Sequence, residues 1–146
     1  MQNVSVEEFI QILADKQGRV ETELGKALAK SCALIQREAM ESMRDTQTDP
    51  TKAYYTYNKG KLHHPSLPNN PPAVDSGTLR RSITYNVNEK EMYGEVGNLI
   101  AKSPYGAYLE FGTSRMKPRP WLKPATEKNK LKIAEFMTFA VKEGIQ

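Results

Sequence analysis

A few residues in this chain have types that could do chemistry, and their spacing decides what each can do. Glu110 stands among the aromatics Tyr105, Tyr108 and Phe111, a setting in which a carboxylate could serve as a general acid or base. Such catalysis needs a second group, and no other carboxylate shares an apolar setting with it. An unpartnered carboxylate is costly to bury, so Arg115, Arg119 or a backbone donor is expected to hold Glu110, unless it sits in water on the polar side of its turn. His63 and His64 suggest a metal, but adjacent side chains diverge on a strand or helix, and no Cys or His stands elsewhere at ligand spacing. Two surface histidines are expected instead. Cys32 is the sole cysteine, lies in a helical apolar stripe, and reads as a small buried apolar group rather than a nucleophile. The glycines are scattered, and none precedes a Lys-Ser or Lys-Thr pair at the spacing a phosphate loop requires. No catalytic residue, metal site or cofactor is expected, and the chain is not expected to be an enzyme.

The elements that must position these groups follow from pattern. Ser5 and Glu8 have the spacing of a capping box, which predicts a helix start. Phe9, Leu13, Val20, Leu24, Ala27, Leu28, Ile35, Ala39 and Met43 then recur at three- and four-residue intervals, one apolar stripe down a long helix. Gly18 costs about 1 kcal/mol against alanine and predicts a kink or break near Lys16 to Arg19. From Arg44 to Pro72 the pattern dissolves into polar residues, Pro and Gly, which predicts a long flexible loop at 44–72 or an arm ordered by a neighbouring subunit. Within it Tyr54, Tyr55 and Tyr57 are either interface anchors or a short strand with Tyr55 and Tyr57 on one face.

Asp75 is expected to cap a short helix through Leu79 and Arg81, with Leu79 and Ile83 facing inward. Arg80 and Arg81 then protrude at its end as solvated charges, or as a pair facing a salt bridge or phosphate. Ile83 to Val87 and Met92 to Val96 alternate as an antiparallel hairpin about a turn at Asn88 to Glu91, with a further strand expected from Leu99 to Lys102 or from Lys117 to Trp121. After Pro124 a second amphipathic helix runs to Gly144, and its early Lys128, Lys130 and Lys132 oppose the helix dipole unless an acidic partner relieves them. The predicted class is α+β: a long N-terminal helix, a short helix, a small antiparallel sheet of a hairpin plus one or two strands, and a C-terminal helix. One domain over residues 1–146 is expected.

The most constrained stretch is Ser103 to Ala125, SPYGAYLEFGTSRMKPRPWLKPA. Tyr105, Tyr108 and Leu109 share one side of a short helical turn, which Gly112 ends from the left-handed conformation. Pro118, Pro120 and Pro124 fix the backbone, so Lys117 to Leu122 becomes an extended arm anchored by Trp121. Phe111 and Trp121 are expected as buried anchors, and Pro124 fits the first turn of the last helix.

This run, YGAYLEFGTSRMKPRPWLKPA, preceded by PPAVDSGTLRRSI at Pro71 to Ile83, resembles the paired signature of the tail-component family of lambdoid siphophages, the small neck or tail-completion proteins. The resemblance covers roughly the second half of the chain. It implies a non-enzymatic virion part, assembled as a ring of six subunits at the head-proximal end of the tail, with tail-terminator and head-closure proteins as further partners. The assembly residues it points to include Arg80, Arg81, Tyr105, Tyr108, Glu110, Phe111, Gly112, Thr113, Arg115, Met116, Arg119, Pro120 and Trp121.

Composition sets the alternatives. A hydrophobic content of 38% and a mean hydropathy of −0.64 are low for a self-contained globule, which suggests apolar surface completed by other subunits, or a loose segment. The formal charge of +4 is mild and interspersed, so it predicts weak attraction to anions rather than specific nucleic-acid binding. The competing reading is a small basic nucleic-acid-binding module, with Arg80, Arg81, Arg115, Lys117 and Arg119 on phosphates and Tyr or Trp stacking on bases. A lone cysteine, an opening MQNVSVEEF with neither basic start nor apolar run, and no membrane-length apolar stretch predict a soluble product of the cytoplasm.

Overall fold

The computed structural model describes residues 4–55, 60, 62–98 and 105–146. Its elements are α1 (Val6–Arg44), β1 (Tyr54–Tyr55), β2 (Leu62–His63), α2 (Thr78–Ser82), β3 (Thr84–Asn88), β4 (Tyr93–Gly97), α3 (Tyr105–Phe111) and α4 (Leu122–Ile145). The layout is α+β, with two two-stranded sheets, β1–β2 and β3–β4. The chain divides into two compact units, one of Met1–Cys32, Asn86–Glu95 and Lys130–Gln146, the other of Ala33–Tyr85 and Val96–Asn129.

Helix α1 begins as its capping box requires: the Ser5 amide donates to Glu8 Oε2 at 2.8 Å, and the Glu8 amide donates to Ser5 Oγ at 3.2 Å. The break expected at Gly18 does not occur. The helix runs on through 39 residues, because one glycine's cost is small beside the cooperative gain of the turns on either side.

In the first unit, small residues set the packing of α1, the hairpin turn and the end of α4. Ala27, Cys32 and Ala140 are buried, and burial pushes the Cys32 thiol pKa up, in keeping with an inert apolar filler. Gly144 is not the helix stop the sequence suggests. Helix α4 continues to Ile145, and a Cβ at Gly144 would lie 2.5 Å from Val20 Cα, so the glycine serves a close helix crossing. Lys16 Nζ donates to the Ile145 carbonyl near the end of α4, and Lys30 Nζ sits 4.1 Å from the centre of the Phe136 ring. The hairpin turn is closed by Asn88, whose Oδ1 accepts from the Lys90 and Glu91 amides at 3.1 Å each.

The second unit holds the larger core: Met43, Ile83, Leu109 and Trp121 with Ala39 and Ala125, flanked by Ile35, Leu79, Met116 and Leu122. Leu79 and Ile83 face inward as their spacing predicts. Asp75 caps nothing, a correction to the sequence reading. Gly77, left-handed at φ 77°, occupies the N-cap of α2 with no side-chain cap, and Ser76 Oγ accepts the Thr78 amide at 3.3 Å instead.

The 44–72 segment carries structure of its own wherever it is described. Thr48 bridges Ser66, the Asp49 amide donates to the Pro65 carbonyl at 2.7 Å, and Thr46 Oγ1 donates to the Pro71 carbonyl at 2.7 Å. Strands β1 and β2 pair antiparallel, Tyr54 opposite His63 and Tyr55 opposite Leu62. This pair forms the second sheet. Residues 117–121, one source proposed for a further strand, join no strand, and the other, Leu99 to Lys102, lies outside the described residues.

Candidate assembly surface around helix α3

Glu110 is the centre of the second unit's organisation. Its Oε2 accepts the amides of Trp121 at 2.7 Å and Leu122 at 3.0 Å, and its Oε1 accepts the Lys123 amide at 2.8 Å. Those amides open α4, where the first N–H groups have no partner inside the helix and the dipole favours a negative charge. A carboxylate from one helix therefore caps another, eleven to thirteen residues along the chain. Of the partners the sequence left open, the backbone donor is the one used, and neither Arg115 nor Arg119 takes part. The cap also offsets the dipole at the lysine-rich start of α4, where Lys128 pairs with Glu38.

The proline arm is stitched to α3 at two further points. The Arg119 amide donates to the Leu109 carbonyl at 2.7 Å, satisfying one of the carbonyls that α3 leaves open at its end, and Trp121 Nε1 donates to the Gly106 carbonyl at 3.0 Å. Trp121 is 3% exposed, the buried anchor its sequence context predicts. Gly112 ends α3 at φ 77°, its amide donating to the Tyr108 carbonyl at 2.8 Å. A Cβ there would lie 2.8 Å from the Met116 carbonyl oxygen and 2.9 Å from the Pro118 ring, so conformation and space both require glycine. Thr113 and Met116 exchange backbone hydrogen bonds across the tight loop that follows, with Met116 packed on the core and Arg115 exposed at the tip.

Arg119 is an internal tie: its Nη1 donates to the Ser66 carbonyl at 2.6 Å and to Ser66 Oγ at 2.8 Å, joining the half-buried arm, Pro120 included, to the 44–72 segment. Arg80 does not protrude either. Its Nε donates to the Met40 carbonyl at 3.1 Å, while Arg81 is exposed and folds back over Gly77. Tyr54 packs its ring edge-on to His63 with centroids 5.1 Å apart, and His64 Nδ1 lies 3.0 Å from the Lys52 carbonyl. Tyr57 lies outside the described residues.

Phe111 is a further correction. It is 78% exposed, with Tyr105 and Tyr108 about half exposed beside it, while Leu109 and Gly106 are buried. Positions two apart on a helix point about 200° apart, so burying Leu109 turns Phe111 outward. That spacing was legible in the sequence. A cavity of about 370 Å³ adjoins α3, lined by Met43, Leu79, Asn98, Tyr105, Leu109 and the loop before α2. Among the described residues, Asp75 and Arg80 are the charged ones on its wall.

The face around α3 presents apolar and aromatic side chains on a helix hydrogen-bonded to the arm. No family model, curated protein or solved structure matches this chain. Among the described residues no group of three His, Cys, Asp or Glu is placed to hold a metal ion, and no described helix is long and apolar enough to cross a membrane.

Proposed function

We propose that this chain is a structural assembly protein, a tail-completion or neck subunit that forms a ring at the head-proximal end of a long-tailed phage tail and acts in the virion. One observation carries the reading: Phe111 is held out in water on a helix whose neighbouring residue, Glu110, is locked to three backbone amides. An aromatic presented on a fixed backbone loses little freedom when a partner receives it, the property that makes an anchor effective at an interface. The motif order around α2, α3 and the arm supplies the class of partner: further copies of the chain, a tail terminator and a head-closure protein, with DNA passing through the ring unread.

The nucleic-acid reading loses two of its five cations, since Arg80 and Arg119 are engaged with backbone carbonyls. The decisive experiment deletes the gene in its native genome and images the particles released on induction. Filled heads and unattached tails are the expected result, restored by the wild-type gene in trans. Joined virions from the deletion, or no particles from the intact genome, overturn the proposal.

A further inference from the structure

The apolar stripe of α1 is covered over only part of its length. In the first unit α4 lies antiparallel to α1, with Gly144 against Val20 and the Ile145 carbonyl at Lys16. Beyond Lys16 the helix continues toward its N-terminus for about three turns, roughly 15 Å at the rise of an α-helix. There Val6, Phe9, Ile10 and Leu13 carry the stripe onward, each half exposed or more. The same helix face is thus partly to fully buried from Val20 to Ala27 and bare where α4 has ended. A second bare stripe lies on the outer face of α4, where Leu131 is 81% and Phe139 64% exposed.

We propose that these two stripes bind each other between successive copies of the chain, the α1 overhang of one copy lying along the outer face of α4 in the next. Charge selects this pairing. The overhang from Val4 to Asp15 carries Glu7, Glu8 and Asp15 and no base, whereas the outer stripe of α4 has Glu135 and Lys142 on it and Lys130 and Lys132 at its sides, a net positive segment. Two overhangs would repel each other, while overhang and α4 attract and bury apolar surface together. Because the two stripes are different patches, the contact is head-to-tail, the kind that closes into a ring when the rotation between copies permits. This contact deepens the ring reading proposed above and rests on it for closure.

The test uses the full chain and two double variants, Phe9→Ser/Leu13→Ser on the overhang and Leu131→Ser/Phe139→Ser on α4. All four side chains are exposed, so far-UV circular dichroism and melting should match wild type. In sedimentation velocity over a concentration series, wild type is expected to form oligomers larger than dimers and each variant to stay monomeric. Mixing the two variants should give a one-to-one dimer and nothing larger, since each retains the patch the other lacks. Wild type that stays monomeric, variants that assemble normally, or a mixture that forms no dimer each overturn the contact. The gene-deletion phenotype is read separately, so this contact can fail while the tail-completion role stands, and the reverse.

Discussion

The two compact units solve the packing problem in opposite ways. In the second, large side chains fill the core: Trp121, Met43, Ile83 and Leu109 are nearly inaccessible, and loops are tied to it through Glu110, Arg119 and Asp49. In the first, the buried residues are small, Ala27, Cys32, Ala140 and Gly144, while Phe9, Leu13, Leu131 and Phe139 face water. Burial of large apolar groups stabilises a unit from within, whereas close contact through small residues gains dispersion but leaves apolar area for others to cover. The second unit thus buries its large apolar side chains, and the first leaves several of its own in water.

The sharpest way to break this contrast is Trp121→Ala, which empties the core and removes the indole bond to the Gly106 carbonyl; a loss of about 3–5 kcal/mol is expected by denaturant titration. Glu110→Ala should cost about 2–3 kcal/mol, because three amides at the start of α4 lose their acceptor, with Glu110→Gln losing less in the same titration. In the first unit Gly144→Ala should cost about 1–3 kcal/mol by overpacking against the Val20 backbone, and a smaller loss on melting would show that the crossing can relax.

Acid sharpens the comparison further. The Thr51 hydroxyl and amide, donating to Asp49 Oδ1 at 2.6 and 3.0 Å, hold this carboxyl below its ordinary pKa. A depressed carboxyl stabilises the fold fully above its unfolded pKa, and that contribution fades as pH falls through the folded value. Asp49→Asn should therefore flatten the acid limb of a stability-against-pH curve while leaving its neutral slope unchanged. The smallest effect is expected for Phe111→Ser, within about 0.5 kcal/mol of wild type in thermal melts, because its ring already stands in water.

Much of the scaffold was legible in sequence because local rules decide it. The Ser5/Glu8 box, the hairpin about Asn88 and the Gly112 stop each rest on residues a few positions apart, and each forms as its spacing predicts. What escaped depends on groups distant in the chain. Nothing near Arg119 announces that Ser66, 53 residues away, will receive it. Glu110 falls between: its need for a partner was plain from its aromatic surroundings, but its choice of amides over arginine depends on the arm folding back. The partial bareness of the α1 stripe was equally hidden, since periodicity reports which face is apolar and not how far the covering helix extends.

The Glu110 cap has one consequence for how this protein can change over generations. The atoms it grips belong to the main chain, and every residue except proline supplies them. Substitutions at Leu122 or Lys123 that keep an N–H leave the grip intact, whereas position 110 has no substitute that is equally long and equally charged. Among descendants of this sequence the acid should hold still while exposed Lys123, which it grips only by the main chain, drifts.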